Sequence, residues 1–214
     1  MNLDAIRELA KKNLAGRRPN GNREAGYIYY HSLRVANLAG ELSARTGAPS
    51  DEFDPVLYTG ALFHDVGKGL SRHNETGAAV ARELLSEHLG EDVLAEVCDI
   101  VRFHCVRKHG LDLSRRVLLV QDADIIDHYG SQQVWLQFLQ AAFNNVPQPD
   151  VAGRWTAESY RSEIERVRAL INLEESLRIF DERVSFQREF YRRFQEEALG
   201  GVFEADGQSE GDAT

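Results

Sequence analysis

His64 and Asp65 stand side by side in the stretch TGALFHDVGKG, and two kinds of site could explain this pair and the residues that follow it. An imidazole and a carboxylate are ligands for a divalent cation, whereas glycines around Lys68 are typical of a phosphate-binding loop. Gly60 and Gly67 are separated by six residues rather than the four of that loop, and a glycine follows Lys68 where Ser or Thr would bind magnesium. The stretch therefore predicts a metal site. Lys68 is either a cation for a substrate anion or a complement to a helix dipole.

Other histidines and aspartates lie on apolar helix faces. Residues three, four and seven apart share one face of a helix. His31 has this spacing with the apolar residues that follow it, and similar apolar series end in His64, in His104 and in Asp124. We therefore expect these four side chains to point into the protein.

Each of these residues alone has an ordinary explanation, namely a core histidine bonded to a carbonyl or a carboxylate that caps a nearby group. Together they are harder to explain, because a buried ionised carboxylate normally needs a paired cation or a metal. Asp65 and Asp124 share the predicted interior with His31, His64 and His104. A divalent cation is a common partner for all five, since imidazole nitrogens and carboxylate oxygens are its usual ligands.

The elements that must position these residues are helices. Helical periodicity extends through nearly every segment, and alternating strand patterns bounded by turn pairs are absent from the sequence. The sequence therefore predicts an all-α fold. The predicted helices span residues 2–15, 30–47, 52–66, 75–88, 91–106, 113–127, 131–144, 156–174 and 176–198.

The stretch NNVPQPDVAG, residues 144–153, is the clearest internal boundary, because proline, glycine and asparagine interrupt the helical pattern. We predict a metal-binding helical domain over residues 1–150 and a C-terminal helical extension packed on it over residues 151–200. The acidic, glycine-rich residues 201–214 are typical of a disordered tail.

The composition limits the partners. The formal net charge is −9, so the chain has no overall basic field to attract a polynucleotide. Its two cysteines lack CxxC spacing and cannot form a disulfide framework, which favours a reducing compartment. No apolar run approaches the ~18 residues of a membrane span. These features predict a cytoplasmic protein without a membrane or polynucleotide partner. They do not determine the oligomeric state, and the protein could be a homo-oligomer.

The order of His31, the His64 and Asp65 pair, and Asp124 resembles the HD-domain superfamily of metal-dependent phosphohydrolases, which is named after its adjacent His and Asp. The segments HSLRVANLAGEL and ALFHDVGKG are close to the family pattern, and the resemblance covers about residues 28 to 130. It implies an HD-domain-like helical bundle. The C-terminal helical pair is similar to that of small bacterial HD hydrolases, some of which act on nucleotides.

The resemblance also implies which residues bind metal. In DADIIDHYG it identifies Asp124 as a ligand, with Asp122 and Asp127 as supporting or substrate-side groups. His73 and His104 would bind a second ion in members with two metals, or contact phosphate in members with one. The implied ligands of the first ion are His31, His64, Asp65 and Asp124. An oxygen and nitrogen set without thiolate favours manganese, iron, magnesium, cobalt or nickel over structural zinc.

The implied reaction is hydrolysis of a small phosphorylated metabolite, with a nucleotide as the expected substrate, by a metal-activated water. Asp65 would orient that water or accept its proton. Charge on the phosphoryl oxygens would be neutralised by Lys68, Arg34 and His73. Two alternatives remain open at this point: an HD-fold binding or signalling module without catalysis, and a di-iron oxygenase on a related fold.

Overall fold

A computed structural model describes residues 1–47, 53–107, 110–154 and 158–202. Over these ranges the chain forms helices and no strand, which confirms the predicted all-α class. None of the described helices is long and apolar enough to cross a membrane. The helices are α1 (Leu3–Leu14), α2 (Tyr27–Arg45), α3 (Pro55–Phe63), α4 (His73–Leu85), α5 (Glu91–Phe103), α6 (Arg115–Asp127), α7 (Ser131–Phe143), α8 (Gln148–Gly153), α9 (Glu158–Arg168) and α10 (Glu174–Ala198).

The predicted helix at residues 52–66 is too long at both ends. The helix begins at Pro55, because the Asp54 carboxylate accepts hydrogen bonds from the first backbone N–H groups and proline is well suited to the first helical turn. It ends at Phe63. His64 and Asp65 therefore lie in the turn after α3 rather than on the helix itself.

The predicted helix at 156–174 is also too long, since α9 ends at Arg168 and a turn precedes α10. The short helix α8 was not predicted, and it contains the proposed domain boundary at residue 150. The hydrophobic core includes side chains from both sides of that boundary, among them Phe180 and Val184 of α10. The division at 150 stays a prediction. Most of the predicted tail, residues 203–214, lies outside the described residues.

Four helices form the centre of the molecule, with α2 packed against α3 and α6, and α3 packed against α5. Their predicted apolar stripes are buried, as Val35, Leu57 and Val101 illustrate. His64, which follows α3, lies beside His31 of α2 and beside His104, which follows α5. The residues that follow the last turns of these helices therefore come together at one place.

Asp122 on α6 joins this centre to the C-terminal helices. Its carboxylate accepts hydrogen bonds from the backbone N–H groups of Asn172 (2.9 Å) and Leu173 (3.0 Å), directly before α10. A carboxylate at a helix N-terminus pairs with otherwise unbonded N–H groups and with the positive end of the helix dipole. Asp122 thus supports the fold and makes no contact that would suit a substrate-side group.

Gly67, in the turn after Asp65, packs its backbone directly against α4. A Cβ atom added at Gly67 would lie 2.1 Å from the carbonyl oxygen of His73 and 2.7 Å from the backbone nitrogen of Gly77. Both neighbours are backbone atoms, so they cannot rotate away as a side chain could. The absence of a side chain at Gly67 therefore fixes the distance between the His64 and Asp65 turn and α4.

We expect Gly67→Ala to lower the free energy of unfolding by about 3 kcal/mol, because the added methyl group forces the turn away from α4. For a chain of this length the melting temperature should fall by roughly 6 to 12 °C in thermal unfolding followed by circular dichroism. Gly40→Ala is the control, since its Cβ would meet no described atom within 4 Å and should stabilise α2 slightly. Equal melting temperatures for the two variants would contradict the proposed packing.

Candidate metal centre

Three histidines occupy the C-cap positions of α3, α5 and α6. In each, Nδ1 lies within hydrogen-bond distance of a carbonyl oxygen in the last helical turn. The contacts are His64 with Ala61 (2.7 Å), His104 with Val101 (2.7 Å) and His128 with Asp124 (3.1 Å). A carbonyl can only accept, so each Nδ1 must be the donor. The capping bond therefore fixes the tautomer and leaves Nε2 as the ring nitrogen without a hydrogen. In His128 this nitrogen can accept a hydrogen bond from the Tyr27 hydroxyl at 3.4 Å.

His31 on α2 reaches the same arrangement through a carboxylate. Its Nδ1 donates to Asp127 Oδ2 at 2.8 Å, and Arg34 donates to both oxygens of the same carboxylate at 2.8 and 3.0 Å. Such a pair of bonds holds the imidazole in one orientation and increases its basicity. Asp127 thus contacts His31 from behind the cluster, and Arg34 is engaged with Asp127 and not with the cluster that His31 faces.

Four side chains converge on one space. Nε2 of His31 lies 3.2 Å from Asp124 Oδ1 and 3.8 Å from Asp65 Oδ2. Nε2 of His64 lies 3.8 Å from each of the same two oxygens. Ligand atoms that bind one ion at about 2.0 to 2.2 Å lie roughly 3 to 4 Å from each other. The spacing of the four atoms therefore fits a divalent ion.

The hydrogen bonding gives an independent test of this fit. Within the described part of the chain, three of these buried atoms have no hydrogen-bond partner: His31 Nε2, His64 Nε2 and Asp65 Oδ2. Asp65 Oδ2 has an ion-pair contact with Lys68 Nζ at 3.1 Å, whereas neither histidine nitrogen has a cationic neighbour of this kind among the described residues. Buried polar atoms are rarely left unpaired, because their lost hydration is not replaced. All three belong to predicted metal ligands and face one another, so a bound cation would pair them together.

His104 and His73 lie on the other side of Asp65. Nε2 of His104 is 3.7 Å from Asp65 Oδ1, the oxygen that faces away from His31. The His104 ring centre lies 5.0 Å from that of His64 and 5.3 Å from that of His73. Ligand atoms of His73, His104 and Cys105 can lie within 4.8 Å of one another. The geometry thus offers a second position beside the first, with Asp65 between them.

Two cations border the cluster. Lys68 Nζ donates to Asp65 Oδ1 at 3.3 Å, and its side chain is 36% exposed. Arg107 lies 3.9 Å from the Asp124 carboxylate, whose side chain is 21% exposed. Arg107, which the sequence analysis missed, also donates to the carbonyl oxygen of Gln121 at 3.0 Å. The open side of the cluster is therefore positively charged.

The pKa values reflect this crowding. Burial opposes ionisation of Asp65, but the charges of His64 and Lys68 outweigh it and lower the Asp65 pKa to about 2. Burial opposes protonation of His31, but Asp124 and Asp127 outweigh it and raise the His31 pKa to about 9. Burial and the nearby His64 lower the pKa of His104 to about 4. At neutral pH the cluster thus keeps a charged Asp65 carboxylate beside a neutral His104.

His128 also lies at the cluster, although its sequence context is that of an ordinary surface or cap residue. It does cap α6, but its ring centre also lies 4.9 Å from that of His31. Its ligand atoms can lie within 4.8 Å of those of His31 and Asp124. The available signal was its spacing of four residues from Asp124, which places both on one face of α6.

A cavity of about 230 Å³ adjoins the cluster. Lys68, Asp124 and His128 line its end at the cluster, and Val167 and Leu170 line the side towards the C-terminal helices. The cluster can therefore be reached by a ligand with an anionic end and an apolar body.

Solved structures of bacterial proteins resemble this fold over nearly its whole length. YpgQ from Bacillus subtilis, in complex with ADP, is 19% identical, with a TM-score of 0.62 and coverage of 93% of this chain and 99% of YpgQ. An HD-superfamily hydrolase from Bacillus thuringiensis is 21% identical, with a TM-score of 0.66 and coverage of 92% and 96%. Lin1889 from Listeria innocua is 16% identical, with a TM-score of 0.58 and coverage of 95% and 100%. At these identities the likeness concerns the fold alone.

No curated protein sequence matches the chain significantly. The family model of the HD domain matches residues 28–129, which contain all four side chains that converge in the cluster. The matched stretch agrees with the resemblance inferred from the His and Asp order. The chain therefore contains an HD domain, at residues 28–129.

Proposed function

We propose that this protein is a divalent-metal-dependent phosphohydrolase whose substrate is a small phosphorylated metabolite, specifically a nucleotide. One observation carries the proposal: three buried ligand atoms without a hydrogen-bond partner among the described residues face one space, beside Lys68 and an open cavity. HD domains bind divalent metals, which agrees with this donor set. The reducing compartment suggested by the cysteines supports a cytoplasmic location for the reaction.

The proposed ligands of the first ion are His31, His64, Asp65 and Asp124. A divalent ion supplies a water of lowered pKa and polarises a phosphoryl oxygen when it is bound. Oxygen and nitrogen donors favour manganese, iron, magnesium, cobalt or nickel. His73 and His104 would serve a second ion, or contact phosphate if only one ion is present.

The remaining steps belong to the side chains around the ligands. Lys68 Nζ lies near both oxygens of Asp65, at 3.3 Å from Oδ1 and 3.1 Å from Oδ2. Oδ1, which faces His104 instead of His31, can accept the proton of the attacking water. Lys68 is flexible and partly exposed, so its ammonium group can move from Asp65 to a phosphoryl oxygen and stabilise the charge that develops there. Arg107 offers a second positive charge beside Asp124. Arg34 acts through Asp127 on the orientation of His31, and its predicted contact with phosphate stays a prediction.

Two observations favour a nucleotide over a smaller phosphate ester. The cavity beside Lys68 has an apolar wall that includes Ile125, Val167 and Leu170. The sugar and base of a nucleotide can pack against this wall, whereas a smaller phosphate ester would leave it exposed to water. YpgQ, which shares the fold, is known in complex with ADP. The cleaved bond is a phosphomonoester or a phosphoanhydride, and the released products distinguish the two.

The proposal is tested by removing metal with a chelator and adding back manganese, magnesium, nickel, cobalt or iron in turn. Release of phosphate, pyrophosphate and nucleoside monophosphate is then measured on a panel of nucleotides. We expect the metal-free protein to show only background hydrolysis. The rate should exceed that background at least ~100-fold after addition of the preferred ion. Stoichiometric metal binding without hydrolysis of any nucleotide would reject the proposed reaction.

The pair formed by His73 and His104 gives a specific reason to test one alternative in the same preparation. Together with the four ligands of the first ion they provide six protein ligands, enough for a di-iron site. Oxygen consumption by the iron-loaded protein would support an oxygenase. Hydrolysis without oxygen consumption would support the phosphohydrolase, and the absence of both would leave a binding module.

A further inference from the structure

A second cavity extends the one beside the metal cluster. It has a volume of about 160 Å³ and shares His128 and Tyr129 with the first cavity. Its far end is lined by Gln133 and Glu163. We call the two adjoining cavities the α9 groove. It extends from Lys68 at the metal cluster to Gln133 and Glu163.

One side of the α9 groove comes from α9 and the turn after it. Glu163, Val167 and Leu170 line it and are spaced by four and three residues, which places them along one face. At helical rise this face is about 10 Å long. The groove is thus an elongated channel with an apolar middle and polar ends.

The position of α9 is fixed by hydrogen bonds through α10. Gln187 on α10 donates to the Tyr160 hydroxyl at 2.9 Å and accepts from the backbone N–H of Gly130 at 3.0 Å. Tyr129, which both cavities share, packs edge-on against Phe180 of α10 with ring centres 4.8 Å apart. Both sides of the α9 groove are therefore held by the same helix, as a preformed binding site requires.

The two ends of the α9 groove differ in charge. Lys68 marks the end at the metal cluster, whereas Glu163 marks the far end. A phosphate group is attracted to Lys68 at the first end, whereas the carboxylate of Glu163 at the second end disfavours it. An elongated phosphorylated ligand is therefore expected to bind with its phosphate towards Lys68. The far end holds an amide and a carboxylate, which together can donate to and accept from a ring that carries both kinds of hydrogen-bonding group.

We propose that the α9 groove binds the nucleoside part of the substrate, with the sugar against Val167 and Leu170 and the base beside Gln133 and Glu163. The inference rests on the proposed phosphohydrolase function, because the metal cluster fixes where the phosphates lie. These four residues lie outside the HD domain at residues 28–129. The helices that follow the HD domain thus determine which base is accepted, while the HD domain provides the reaction.

The test measures binding to the manganese-loaded full chain by isothermal titration calorimetry. The ligands are the methylene-bridged diphosphates of adenosine, guanosine, cytidine and uridine, with methylenediphosphonate as the ligand without sugar or base. Gln133→Ala and Glu163→Gln are compared with the wild type. Glu165→Gln is the matched control, because Glu165 is an exposed carboxylate on the same helix that does not line either cavity.

We expect the wild type to bind at least one nucleoside analogue 10-fold or more tightly than methylenediphosphonate. Each groove variant should reduce that preference by about 5- to 10-fold, as expected for one lost hydrogen bond, and Glu165→Gln should retain it. A wild type without any such preference, or a preference that both groove variants retain, overturns the inference. Hydrolysis of nucleotides without this preference for a nucleoside analogue would support the proposed function and reject the role of the α9 groove. A groove-dependent preference without hydrolysis would do the reverse.

Discussion

Asp65→Asn is expected to abolish metal-dependent hydrolysis, with kcat/KM at least ~1000-fold below the wild type. Asp65 faces both halves of the cluster, since Oδ2 lies near His31 and His64, and Oδ1 lies near His104. An asparagine keeps the shape but loses the negative charge and replaces one ligand oxygen with an NH₂ group, which cannot bind a metal. Metal content measured by mass spectrometry should fall together with activity.

The variant should remain folded, which makes the loss of activity interpretable. Asp65 is 1% exposed, but its cationic neighbour Lys68 has a side chain that is 36% exposed and can turn towards water when the carboxylate charge is removed. Asp99→Asn is the control, because Asp99 is an exposed carboxylate that pairs with Arg102 on α5. Full metal content and more than a tenth of wild-type activity in Asp65→Asn would contradict the assignment of Asp65 as a ligand.

The helical stripes predicted correctly that the site residues point inward. They predicted the ends of the helices less well. His64 and His104 were assigned to helices, yet both stand one position beyond the last helical residue, Phe63 or Phe103. A C-cap residue still has nearly helical backbone angles, so its side chain keeps the phase of the stripe. For this reason the predicted direction agrees with the structure although the predicted boundary does not.

The sequence could not decide between a core histidine bonded to a carbonyl and a metal ligand, because the two roles use different ring nitrogens. In His64 and in His104, Nδ1 is bonded to a carbonyl, whereas Nε2 faces the cluster. The ordinary explanation and the functional one therefore apply to the same residue. The same holds for His128, which caps α6 through Nδ1 while its ring lies beside that of His31.

The sequence also could not predict ion pairs between residues that are far apart in the chain. Arg34 is 93 residues from Asp127, and nothing in the local pattern of α2 indicates that its guanidinium would bind this carboxylate. In the sequence alone, Arg34 is a free positive charge, which suggests a role at phosphate. In the structure its guanidinium forms a bidentate ion pair with Asp127, the carboxylate that also accepts from His31.

This chain of contacts predicts a large effect at a residue that does not face the cluster. Asp127→Ala should raise the metal dissociation constant about 10- to 100-fold, because His31 loses the acceptor that orients its ring. Asp127→Asn should have a smaller effect, since its amide oxygen can still accept from His31 Nδ1 while the negative charge is lost. Competition titration against a fluorescent chelator measures both constants.

Asp122→Asn provides the comparison that separates orientation of the ligand from general loss of structure. Asp122 is a buried carboxylate on the same helix as Asp127, but it accepts from Asn172 and Leu173 and has no contact with His31. Its amide variant should lower the free energy of unfolding by about 1 to 3 kcal/mol and leave the metal dissociation constant of the folded protein unchanged. If Asp127→Ala binds metal as tightly as the wild type, the packing of α2 alone orients His31, and the Arg34 and Asp127 pair serves stability instead.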